Sequence, residues 1–95
     1  MAEYNTLEAV KNGLGLAGND AFNETLEIYI TEVKEFMMGA GVSEETVNAQ
    51  AAAGVITRGV ADLWNYGSGS VGLSDYFKMR VTQLALNETR DTNAL

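Results

Sequence analysis

From Thr6 onward the apolar residues recur every three or four positions, and no stretch of useful length alternates in the strand manner. Proline is absent, so glycine punctuates the chain, in the clusters Gly13/Gly15/Gly18, Gly39/Gly41 and Gly67/Gly69/Gly72. A first short helix is predicted over Thr6–Asn12, capped by Asn5 with Glu8 as box partner. After the Gly13–Gly18 linker, Asn19 or Asp20 caps a longer helix reaching about Met38 and stopped by Gly39. Its stripe is Phe22, Leu26, Tyr29, Ile30, Val33 and Met37, and Glu24, Glu27, Thr31, Lys34 and Glu35 fill the other side.

Ser43 with Glu44 and Glu45 marks a fresh helix start. Whether Glu44–Ala53 continues into the next helix is left open by the pattern, with Gly54 as a candidate break. That next helix runs to about Tyr66 on Val55, Ile56, Val60, Leu63 and Trp64, and Trp64 is expected in the core. Gly59, mid-helix at a cost near 1 kcal/mol, implies close approach of another helix. Ser74 caps the last helix. Phe77, Val81, Leu84 and Ala85 form one stripe of that helix. Met79, Thr82 and Leu86 form a second on another face, which implies either central burial or a partner surface. The expected fold is all-α. It is a compact bundle of about four helices (short first, long second, Trp-bearing third, capped fourth) with Gly-rich connections. Residues 1–87 make one domain, and 88–95 a polar C-terminal tail.

Charge adds a constraint on partners. The net charge is −7, and all of it falls in residues 1–50, where nine acids face only Lys11 and Lys34. Nucleic-acid affinity rests on phosphate neutralisation, so this chain is a poor DNA grip. Its acidic surface suits a conduit that DNA passes without sticking. No cysteine, no signal-peptide pattern and no bilayer-length apolar run lead to the expectation of a soluble protein made in a cytoplasm, with no membrane partner.

Candidate chemistry is sparse. The absence of histidine removes the usual triads and imidazole metal sites, and the absence of cysteine removes thiol nucleophiles. Glu24, Glu27, Glu32 and Glu35 lack the Glu-x-x-His pairs of carboxylate metal bundles and read as a solvated helix face. Gly13–Gly18 and Gly67–Gly72 both match G-x-G-x-x-G, but each follows a helix rather than a strand, so each reads as a turn. Trp64 and Tyr66 lack the cationic groove of a base-stacking site. Arg58 and Asp62, four apart, read as a surface pair of little energetic worth. No catalytic, cofactor-binding or metal-binding residue is expected, and the chain reads as a non-enzyme.

The run Ile56-x-x-Gly59-Val60-x-Asp62-Leu63-Trp64-Asn65-Tyr66-Gly67-x-Gly69 is followed by Leu73-Ser74-x-Tyr76-Phe77 and Arg80-Val81-x-Gln83-Leu84. This pattern resembles the small head–tail connector (adaptor, head-completion or DNA-packaging) proteins of long-tailed bacteriophages and prophages. The front half, Thr6–Val10 and Phe22–Met37, fits that family's layout as it would fit many helical proteins. Two features common in that family, a proline before the third helix and a more basic C-terminus, are absent.

The resemblance implies a structural subunit of the virion, made in the bacterial host cytoplasm and placed at the head–tail interface. Such subunits form a ring of about twelve copies through cyclic contacts. The ring docks under the portal protein after packaging and receives stopper or tail completion proteins, while DNA passes through its channel. Candidate interface residues are Tyr66, Ser68 and Ser70 around the glycine/serine loop, and Tyr76, Met79, Arg80, Gln83 and Leu86 on the last helix. Glu24, Glu27 and Glu35 are candidate channel or surface acids. The alternative is a small acidic phage or bacterial interaction or regulatory module that binds a host protein.

Overall fold

The computed structural model describes residues 5–67 and 72–93, with side chains through residue 88. Among these residues the protein is all-α: α1 (Thr6–Gly13), α2 (Asn23–Gly39), α3 (Glu44–Val47), a 3-10 turn (Gln50–Ala52), α4 (Ala53–Tyr66) and α5 (Asp75–Asn93). The extra helix relative to the sequence expectation is the single turn α3.

α1 begins where Asn5 Oδ1 accepts from the Glu8 N–H at 3.1 Å, as the sequence suggests. α2 departs from expectation at both ends. Asn19 and Asp20 do not cap it. The Asn19 carboxamide instead turns back to the Ala21 N–H, and the Asp20 carboxylate is taken by Lys11 Nζ at 2.7 Å. The helix therefore starts at Asn23 with no side-chain cap. At its C-terminus the stop is Gly41 rather than Gly39. Gly41 has φ +105°, its N–H reaches the Met38 carbonyl, and the next N–H, of Val42, reaches the Met37 carbonyl. That pairing closes a helix end around a left-handed residue, a role glycine fills without steric cost.

Ser43 then caps α3 through Thr46 N–H, and Asn48 ends it. α3 and α4 are separate elements joined by the 3-10 turn. Gly54 lies inside the first turn of α4 and breaks nothing.

α4 is the central element and packs against α1, α2 and α5. Its Val55, Ile56, Val60 and Leu63 meet Val10 of α1, Leu26, Ile30, Val33 and Met37 of α2, and Phe77 and Val81 of α5. Val42, Val47, Ala52 and Leu73 close the core from the connections. Burial of each such side chain contributes about 1.5–3 kcal/mol, which sustains helices too short to persist alone. Gly59 sits at a close crossing of three helices. A Cβ there would lie 2.7 Å from Phe77 Cε1 and 3.0 Å from both Val33 methyls. The close approach inferred from sequence thus involves two helices.

Two expected core aromatics lie at the edge. Trp64 is 37% exposed and Phe22 is exposed on the turn before α2; they meet edge-on with ring centroids 5.2 Å apart. Trp64 is one residue past the buried Leu63, and about 100° of helix rotation carries it off the core face. α5 runs through Asn93, so the polar segment from Glu88 is helical that far. Glu88 Oε2 accepts from the Ser43 N–H at 2.9 Å and ties α5 to the start of α3.

Candidate functional site

The buried stripe of α5, Phe77 and Val81 with half-buried Leu84 and Ala85, points at α4 and the core. Met79, Thr82 and Leu86 fall on the opposite side of the same helix, because a helix returns to one face every three to four residues. Met79 is 49% exposed and Leu86 59% exposed. Gln83 lies between them, also exposed. The second apolar stripe of the sequence therefore faces solvent in the single chain.

One flank of this stripe is organised around Tyr76. Arg80, one turn on, donates from Nη1 to the Tyr76 hydroxyl at 3.1 Å. Arg58 reaches across from α4 and sets its guanidinium over the Tyr76 ring, 5.0 Å from the centroid. Such stacking is worth roughly 0.5–1 kcal/mol at exposed positions. Arg58 Nε also donates to Asp62 Oδ1 at 3.2 Å.

Asp62 is not the surface partner its spacing suggested. Its carboxylate is buried, and its second oxygen accepts from the Ser74 N–H at 3.0 Å. Ser74 in turn caps α5 through the Phe77 N–H at 3.1 Å. Asp62 therefore anchors the start of α5 to α4 and fixes how the outer stripe is presented. Burial pushes its carboxyl pKa up. The hydrogen bonds from Ser74 and the Arg58 guanidinium outweigh that, and the group stays below the usual carboxylate range.

The other candidate residues are not gathered here. Tyr66 ends α4, 75% exposed. Ser68 and Ser70, and with them most of the second glycine-rich motif, lie outside the described residues. Glu24, Glu27 and Glu35 project from α2, all exposed. They surround Ile28, which is 63% exposed, and a shallow groove is lined by Glu27, Ile28, Thr31, Glu32 and Glu35. Ile28 was missed as a surface residue, although its position between Glu24 and Thr31 already put it off the apolar stripe. The Arg58–Tyr76 contact had no signal in the linear pattern, since the two residues sit on different helices.

Among the described residues no cluster of three histidine, cysteine or acidic side chains is arranged to hold a metal ion, and no helix is long and apolar enough to cross a membrane. No protein family, curated protein or solved structure matches the chain.

Proposed function

We propose that this chain is a structural subunit of a bacteriophage head–tail connector ring. It docks under the portal after DNA packaging, joins head to tail or stopper proteins, and lets DNA pass without sequence-specific binding. The observation that carries the reading is the outward stripe of α5, where Met79 and Leu86 face solvent on the side opposite Phe77 and Val81. A helix apolar on two opposite faces serves two cores, its own and a neighbour's. The resemblance of residues 56–84 supplies the kind of neighbour. The net charge of −7 fits a passage that repels phosphate rather than gripping it. No catalytic, cofactor or metal residue enters this reading.

The test is to purify tailed particles of the phage that encodes the chain and quantify the protein in them, then to measure its binding to the portal protein of the same phage. The proposal expects ring-level copy number in the particle and a specific portal complex. Absence from particles, with a one-to-one complex formed with a host protein instead, would replace it with the acidic interaction module.

A further inference from the structure

Two outward helix faces of this protein are complementary. On α5 the exposed apolar pair Met79 and Leu86 is bordered by Lys78 on one side and Arg80 on the other. Neither cation forms an ion pair among the described residues, and Arg80 is engaged with Tyr76. On α2 the exposed Ile28 lies in a shallow groove whose borders are acidic. Glu24 is one turn before Ile28 and Glu35 two turns after it on the same face, with Glu27 beside it. Each face is an apolar centre with a charged border. The α5 border holds two cations and one acid, the exposed Asp75 one turn before Met79, so it is net positive, whereas the α2 border is acidic.

We infer that the outer face of α5 docks on the α2 groove of a second copy of this chain. Leu86 and Met79 meet Ile28, while Lys78 and Arg80 meet Glu24, Glu27 and Glu35. The charges select this pairing over its rivals. A symmetric α5–α5 contact sets two copies of Lys78 and Arg80 against only two Asp75 carboxylates, an excess of positive charge, and a symmetric α2–α2 contact gathers six carboxylates. Like-charge juxtaposition of this kind disfavours the wrong partner. The selected contact uses two different patches, so it is heterologous. It leaves an α5 face and an α2 face free at each end and propagates into a ring or a filament rather than stopping at a dimer. A single helix-on-helix contact is small beside a standard interface, so each junction is weak alone and is strengthened by ring closure or by a template. The inference rests on the connector reading only for the ring as its biological product. It also puts the α2 acids at the junction between subunits and not along the channel.

The chain has no cysteine, so engineered thiols report the contact directly. Ile28→Cys and Leu86→Cys are both exposed substitutions. Far-UV circular dichroism checks that each variant keeps its helices. Copies of different mass, one carrying each cysteine, are mixed at high concentration and oxidised. The inference expects the mixed disulfide as the main product, with little homodimer from either variant alone. Triple replacement of Glu24, Glu27 and Glu35 by Lys in the Ile28→Cys copy should abolish the mixed product. Adding Lys78→Glu and Arg80→Glu to the Leu86→Cys copy should restore it.

Homodimers that equal or exceed the mixed species, or no disulfide in any combination, overturn the inference. So does indifference to the charge changes. The particle measurement remains separate. Protein found in particles without the mixed disulfide keeps the connector and rejects this junction, whereas the disulfide without particle incorporation keeps the junction and rejects the connector.

Discussion

Replacing Asp62 with Ala should cost far more than its i,i+4 spacing with Arg58 implies. The carboxylate is buried and accepts from the Ser74 backbone N–H at 3.0 Å and from Arg58 Nε at 3.2 Å, with the Ser74 hydroxyl also beside it. The bond to Ser74 involves an ionised acceptor shielded from water. Its loss, which leaves that N–H unpaired, costs about 1.5–3 kcal/mol. The Arg58 side chain is half exposed, so the ion pair adds only about 0.5 kcal/mol. Together these give a loss of about 2–3.5 kcal/mol for Asp62→Ala. Arg58→Ala removes only the smaller part and should cost about 1–1.5 kcal/mol, including its stacking on Tyr76. At roughly 4–8 °C per kcal/mol for a domain of this size, Asp62→Ala lowers Tm by about 8–28 °C.

The pH dependence has a definite sign. The folded-state pKa of Asp62 lies below its ordinary value, so the stabilisation is fully present above about pH 4, where the unfolded carboxyl is ionised. It is lost as the pH falls through the lowered folded value, so wild type and Asp62→Ala converge in acid. The assay is urea unfolding followed by fluorescence of Trp64, the single tryptophan, at pH 7 and at pH 3. A cost no larger than that of Arg58→Ala would show Asp62 to be an ordinary surface pair and refute the reasoning.

Three further outcomes are expected. Gly41→Ala places a side chain at φ +105° and should cost about 1–2 kcal/mol, whereas Gly39→Ala, in open space, should be neutral or stabilising by up to about 1 kcal/mol; thermal melts of the pair show which glycine ends α2. Gly59→Ala gains helix propensity but forces its Cβ against Phe77 and the stiff, fully buried Val33; a net loss of about 1–2 kcal/mol is expected in chemical denaturation, and a more stable variant would show that the crossing has slack. Lys11 is fully buried while its partner Asp20 is exposed, so Lys11→Met should be neutral or stabilising and Asp20→Ala destabilising; the reverse order of Tm values would mean that the ion pair itself favours the fold.

The chain's own pattern determined the helical class, most helix limits, the cap residues Asn5, Ser43 and Ser74, and the tight crossing at Gly59. These follow from local rules: period, capping chemistry and the cost of glycine in a helix. The same rules separated the two faces of α5, because Met79 and Leu86 share a register that Phe77 and Val81 do not. Tertiary structure decided the rest. Spacing showed Arg58 beside Asp62, but only the packing of α5 on α4 brings Ser74 to the other carboxylate oxygen and turns a surface pair into a buried anchor. Asn19 and Asp20 carried every local credential of a cap. Lys11, buried between helices, claimed Asp20 through a contact nine residues away. Trp64 was apolar and in phase by sequence, yet the core closed around Leu63 and left the indole against Phe22 at the rim. Period tells which residues share a face. Which faces are covered depends on how many neighbours the chain brings to each helix, and that is a property of the packed molecule.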